Sequence, residues 1–205
     1  MHVVCLDLEG VLVPEIWISF AQKTNIEQLR LTTRDVPDYD ELMRYRMAIL
    51  EERKLTLADI QQVISTMEPL PGALDFLNWL RQCTQVVILS DTFTEFAQPL
   101  MRALAWPTLF CNSLVTDSAG MITAYRLRQR EGKRKAVEAL QSIGFTVFAA
   151  GDSYNDLAMI KQADRGALFK APERILKEEP ALPHARTYDE FKMILQQFFA
   201  DSANV

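Results

Sequence analysis

The chemistry of this chain is concentrated in two acidic clusters. Asp7 and Glu9 stand in HVVCLDLEGVLV, Asp152 and Asp156 stand in GDSYND, and each pair follows an apolar run that has no structural need for acids. Converging carboxylates repel one another unless a cation joins them, and hard oxygen ligands of this number suit Mg²⁺. The two clusters thus point to a magnesium site, on condition that the fold brings them side by side.

The elements that must do so are legible. The stretch His2-Val3-Val4-Cys5-Leu6 is β-branched and apolar, as a central strand buried on both faces is, and Gly10 breaks it. Residues Phe145 to Ala150 repeat the pattern, and Gly151 turns the chain before Asp152. Open α/β sheets bind ligands at the carboxyl ends of their strands, so neighbouring strands here would unite the acids.

Residues 15 to about 68 are helical in texture, with helices expected at Ile16–Lys23, Tyr39–Arg53 and Leu57–Met67, the last opened by Thr56 as N-cap. TTRDVPDYD reads as the intervening loop, and Pro69-Leu70-Pro71-Gly72 closes the block. From Ala73 the chain alternates helix (73–82), strand (85–89) and helix (Thr92–Ala105, kinked at Pro99), then forms a hairpin of Thr108–Thr116 and Met121–Leu127 about Asp117-Ser118-Ala119-Gly120. A helix at 133–142, the Phe145 strand, a helix at Tyr154–Gln162, a strand at Gly166–Phe169 and a helix at Tyr188–Phe199 complete it. The expected fold class is α/β: a Rossmann-like, mostly parallel sheet core of residues 1–14 and 74–205, with a helical cap of residues 15–73 inserted after the first acidic loop, where it would cover the site.

Composition excludes other classes. A chain of 205 residues, 49% hydrophobic, can bury one sizeable core with a small accessory domain. A net charge of −5, with basic residues scattered apart from one short cluster, argues against a nucleic-acid partner. Cys5, Cys83 and Cys111 follow neither a disulfide framework nor a CxxC pattern and are expected to be buried thiols. There is no basic and apolar leader pattern and no run of about 18 apolar residues, so no membrane partner and a cytoplasmic location are expected. His2 and His184 match nothing catalytic and read as structural or solvated, and oligomeric state is not legible.

Four short motifs occur in order: Asp7-Leu8-Glu9-Gly10-Val11, Ser90 in ILSDTF, Lys133 in EGKRKAV, and Gly151-Asp152-Ser153-Tyr154-Asn155-Asp156. Each alone is weak, but in this order, at strand ends and helix starts, they resemble the haloacid dehalogenase superfamily and closely its phosphoserine phosphatase branch. The resemblance covers essentially the whole chain. Within that branch it is closest to the bifunctional phosphoserine phosphatase and phosphoserine:homoserine phosphotransferase group, on two departures from ordinary members. Glu9 replaces an Asp two residues after the nucleophile, and Asp91-Thr92-Phe93 follows Ser90 in place of a glycine pair.

The resemblance implies Mg²⁺ held by Asp7, the main-chain carbonyl of Glu9 and Asp152, and transfer of phosphate from O-phosphoserine to water or homoserine. A phosphomonoester is a charged, sluggish electrophile, so Asp7 is the candidate nucleophile once cations cancel the repulsion. Glu9 is the candidate acid that protonates the leaving alkoxide and the base that then activates the acceptor. Ser90 and the Asp91-Thr92 helix opening would hold phosphate oxygens, with an unliganded N-cap serine as the bland alternative. Lys133 opens a helix, where a cation is unfavourable unless an anion lies nearby, while Arg134 and Lys135 read as a solvated face.

Arg46 and Glu15 match the pair that reads the amino-acid carboxylate and ammonium in the resembled enzymes, and Arg44 would point to another helix face. Asn155 and Asp156 would bind substrate or metal-bound water and fix their loop, or merely cap the following helix. Two other readings stand: a plain phosphoserine phosphatase, and a phospho-accepting signalling switch. Such a switch also uses strand-end aspartates, Mg²⁺ and a lysine, but it lacks the acid two residues on and the helical insert.

Overall fold

Short apolar runs give a seven-stranded sheet in the order β4-β3-β2-β1-β5-β6-β7, in a computed structural model that describes residues 1–32, 35, 36 and 38–202. The central strand β1 (His2–Leu6) pairs in parallel with β2 (Gln85–Phe93) on one side and β5 (Thr146–Gly151) on the other. Outward from these lie β3 (Thr108–Thr116) and β4 (Ile122–Arg126) on one flank, and β6 (Arg165–Phe169) and β7 (His184–Ala185) on the other. Only β3 and β4 pair antiparallel, as the hairpin expected from the sequence.

Both faces of the central strands are covered, which is why those strands read as near-continuous apolar runs rather than alternating ones. Val4, Leu6, Ile88 and Phe148 share one cluster with Phe76 and Leu80 of α4 (Ala73–Cys83), Leu100 of α5 (Thr94–Ala103) and Phe191 of α9 (Tyr188–Ser202). Val3, Cys5, Leu89 and Ala149 face the opposite way, onto Val137 of α6 (Gly132–Ser142), Met159 of α7 (Tyr154–Gln162) and Ile175 of α8 (Glu173–Glu178).

Between β1 and α4 lie α1 (Ile16–Thr24), a 3-10 turn (Glu27–Arg30), α2 (Tyr39–Glu52) and α3 (Leu57–Ile64). Thr56 does cap α3, in a reciprocal box with Asp59. These helices are held to the sheet by more than their two chain connections. Trp17, Phe20 and Ile60 belong to the same apolar cluster as Phe93 and Phe96, and the Trp17 ring meets Phe96 edge-on at 5.6 Å. Main-chain hydrogen bonds from Leu57 N–H to the Gly120 carbonyl and from Leu70 N–H to the Leu12 carbonyl, both 2.9 Å, add to the tie.

Several expectations need correction. The loop assigned to residues 32–40 falls partly on Thr33, Arg34 and Pro37, outside the described residues, while Tyr39 and Asp40, where it overlapped the helix expected from Tyr39, belong to that helix, α2. Strand β2 runs to Phe93, so Asp91-Thr92 does not open a helix. After a register shift Phe93 pairs with Asn112, whose side-chain amide donates to the Asp91 carbonyl, and this keeps the chain extended until α5 starts at Thr94. Of the cysteines only Cys5 is buried. Cys111 is partly covered, and Cys83 is exposed at the end of α4, where the chain turns into β2. The 3-10 turn, α8 and β7 are too short to carry a period. His2 packs on Phe198 at 5.3 Å, and among the described residues no helix is long and apolar enough to cross a membrane.

Candidate active site

Because β1 lies between β2 and β5, the residues that leave these strands converge. Asp7 is the first residue past β1, and its N–H donates to the Ala150 carbonyl of β5 at 3.0 Å. Its Oδ1 accepts the Leu8 N–H at 2.8 Å and lies 2.9 Å from Lys133 Nζ. The Lys133 ammonium, buried in the first turn of α6, also reaches Asp156 Oδ1 at 2.8 Å and Asp91 Oδ2 at 3.6 Å. The anion that a cation at this helix start requires is therefore present several times over. Burial pulls the ammonium pKa down, but Asp156, Asp7 and Asp91 together outweigh it and hold it well above the ordinary lysine value.

Asp156 is fully buried, and its second oxygen accepts three hydrogen bonds at 3.0 Å, from the N–H groups of Asp152 and Ser153 and from the Ser153 hydroxyl. One of its oxygens thus lies on Lys133 and the other on the 152–153 turn. Two glycines permit the close approach. A Cβ on Gly151 would lie 2.1 Å from the Asp156 carboxyl carbon, and one on Gly10, whose φ is +76°, would lie 2.5 Å from that of Asp152.

Carboxylate oxygens of Asp7, Asp152 and Asp156 all lie within 4.8 Å of one another. Burial, then Asp156 and Asp152, push the Asp7 carboxyl well above its usual range, and Lys133 opposes them only in part. An all-oxygen donor set with excess negative charge fits Mg²⁺. Asp7 and Asp152, both of the expected carboxylate ligands, are brought together, and Asp156 is committed to its other contacts.

The Glu9 side chain turns toward the helical insert, where its Oε2 accepts the Ile16 N–H, the first of α1, at 2.8 Å. Burial and the neighbouring Glu15 push its pKa up to about 8, against the pull of the Ile16 N–H, Arg46 and Lys133. Arg46 is buried on α2 with its guanidinium 4.4 Å over the Trp17 ring and 2.8 Å from the Leu31 carbonyl. Its Nε is buried without a hydrogen-bond partner, and among the described residues it forms no ion pair. Burial lowers its pKa to about 10, opposed by Tyr39, Glu9 and Glu15. Such a group is completed by an anionic ligand. Arg44, two residues before Arg46 on α2, is exposed.

Ser90 is buried on β2, and its Oγ accepts the Thr92 N–H at 3.2 Å, which leaves its own proton to donate. A cleft of about 110 Å³ is lined by Asp7, Glu9, Glu15, Arg46, Ser90, Asp91, Lys133, Asp152 and Asn155, so every residue nominated from sequence borders it except Asp156, which lies beneath. Trp17 and Tyr39 also line it and were not anticipated, because aromatic residues at helical spacing read as core. A signal existed: Tyr39, Leu42 and Arg46 are spaced i, i+3, i+7 and share one face of α2.

Residues 1–164 match the haloacid dehalogenase-like hydrolase family. A phosphoserine phosphatase of Pseudomonas syringae is 57% identical over 94% of this chain and 81% of its own length. The phosphoserine phosphatase ThrH of Pseudomonas aeruginosa is 55% identical over 94% of both chains. Among solved structures, a phosphoserine phosphatase in apo form superposes with a TM-score of 0.76 over 95% of this chain and 98% of that one, at 21% identity. With the inserted helices, the acid two residues after Asp7 and these relatives all in agreement, the signalling-switch alternative falls, and the chain belongs to the haloacid dehalogenase-like hydrolases, in their phosphoserine phosphatase branch.

Proposed function

We propose that this protein removes phosphate from O-phosphoserine through an aspartyl-phosphate at Asp7, with Mg²⁺ bound, and passes it to water or to homoserine. The observation that carries the reading is the cleft itself. It has a buried strand-end carboxylate beside a lysine and two further aspartates at one end, and a buried arginine without an anionic partner at the other. The identity to relatives named phosphoserine phosphatase supports the same substrate.

Asp7 Oδ1 is held by the Leu8 N–H and Lys133, which leaves Oδ2 as the attacking oxygen. Attack forms the Oδ2–P bond and breaks the bond between phosphorus and the serine oxygen. Ser90 donates to a phosphate oxygen, and Lys133 offsets charge on both partners. Asp7 and Asp152, together with the Glu9 carbonyl, would hold Mg²⁺, which would supply the remaining charge neutralisation. Glu9, protonated at neutral pH by its burial, gives its proton to the departing alkoxide and as a carboxylate then takes one from the acceptor, whose oxygen displaces Asp7. Arg46 and Glu15 read the carboxylate and ammonium of the amino acid, and Asn155 lies at the phosphate end. The helices of residues 15–73 form the lid that excludes bulk water.

Homoserine as acceptor is the finer part of the proposal, and the Glu9 placement favours it. A carboxyl anchored to α1 sits toward the insert, where an alcohol bulkier than water must enter. Phosphorus NMR of a reaction with Mg²⁺, phosphoserine and homoserine should show inorganic phosphate and phosphohomoserine as separate signals. Inorganic phosphate alone would leave a plain phosphatase, and neither signal would overturn the assignment.

A further inference from the structure

A second cavity, of about 320 Å³, opens on the flank of the reaction cleft. It shares Tyr39, Ser90, Asp91, Lys133 and Asn155 with the cleft, but Glu9, Glu15, Trp17 and Arg46 are not part of its wall. Tyr39 of α2 borders both spaces, and apart from it the cavity meets the cleft on the side of Ser90 and Lys133, away from Glu15 and Arg46. The boundary between the two spaces is the Asp91–Lys133 pair, 3.6 Å apart.

The outer wall of this cavity comes from the connection between β4 and α6. From Arg126 to Lys135 six cations stand against one acid, Glu131, in a chain whose net charge is −5. Some of these cations are already compensated: Lys133 by Asp7 and Asp156, and Arg134 by Glu131 and Glu138, each 3.1 Å away. Two that line the cavity are not. Arg128 donates to the Gly132 carbonyl and lies 5.3 Å over the Phe110 ring, with no carboxylate partner, and exposed Arg130 has no hydrogen bond or ion pair among the described residues. Helix α6 starts in the same wall with no side chain capping its first turn, which adds free N–H groups and positive potential. The lining carries Arg128, Arg130, Lys133 and Arg134 against Asp91 and Glu131, and a concave surface with an excess of one sign concentrates ligands of the other.

Resting on the phosphatase reading, we propose that this lateral cavity is a second oxyanion site, which takes inorganic phosphate from the reaction site and returns it to solvent without lifting the helical insert. The insert is tied down by Trp17 on Phe96 and by the Leu57 and Leu70 hydrogen bonds, so its opening breaks several contacts at once. The amino acid needs that opening. A compact dianion that has left Asp7 has a shorter way out past Lys133, toward two unpaired arginines.

The test uses the Mg²⁺-loaded protein with its reaction site filled by beryllofluoride on Asp7, into which inorganic phosphate is titrated calorimetrically. One weak phosphate site should remain. Arg130→Gln should weaken it by about fivefold, the scale of one solvent-exposed charge contact, while KM for phosphoserine stays within about twofold. The exposed Leu127→Trp, which fills the cavity and removes no charge, should abolish that site. In a single turnover it should also delay the appearance of free phosphate without slowing phosphoenzyme formation. No phosphate binding to the filled protein, or binding and release unaffected by either variant, overturns the proposal. Failure of the phosphatase reading is separately visible, as absence of phosphoserine turnover by the unaltered protein.

Discussion

At the scale of single residues, chain length at Glu9 decides what that carboxyl can reach. Its bond to the Ile16 N–H spans from the β1 loop to the first turn of α1, and an aspartate, shorter by about 1 Å, would lose it unless the backbone moved. Glu9→Asp should therefore raise the ratio of inorganic phosphate to phosphohomoserine at fixed homoserine. An unchanged ratio, with both rates scaled together, would show that the insert or the Asp91-Thr92-Phe93 segment sets acceptor choice instead. Asp7→Asn should remove turnover, a loss on the order of 10³-fold or more. Its melting temperature should not fall, because one of three mutually repelling buried carboxylates is gone. Retained turnover in a verified Asp7→Asn protein would sink the nucleophile assignment. These residues were legible because ordered motifs mark them. Trp17 was not, since its role depends on the Arg46 guanidinium lying over its ring, a contact between two helices that no local pattern encodes.

At the scale of elements, the proposed function sets the amino acid against α1 and α2. A buried guanidinium with an orphaned Nε gains most from a charged partner, so Arg46→Ala should raise KM for phosphoserine about tenfold or more. It should do much less to a phosphate ester without the amino-acid group. Trp17→Leu removes the ring under the guanidinium and should do the same more weakly, roughly severalfold. Equal effects on both substrates would mean that these helices sense phosphate or only pack. Strands β1 and β5 could be read in advance because burial on both faces leaves an unbroken apolar run. The start of α5 was misplaced because the long-range pairing of Phe93 with Asn112 overrides the local helix signal at Asp91-Thr92.

At the scale of the whole molecule, the sheet order makes the site, by setting β1 between β2 and β5 and so drawing residues 7, 90 and 152 together. A ligand that binds only the assembled form stabilises it, so Mg²⁺ should raise the melting temperature, by up to about 2.7 kcal/mol of added stability at a hundredfold excess over its dissociation constant. Chelation should reverse this and stop turnover. A melting temperature indifferent to Mg²⁺ would count against a metal site at Asp7 and Asp152. The same sheet order governs how the chain comes to be folded. The segment His2–Leu6 leaves the ribosome ahead of both its neighbours, one of which begins at Gln85 and the other only at Thr146. At translation speeds of about 5–20 residues per second, an apolar, β-prone segment waits on the order of ten seconds for its second edge to be paired. During synthesis the central strand of the finished protein is thus an exposed, sticky segment until β5 arrives, and it is there that a chaperone would be needed.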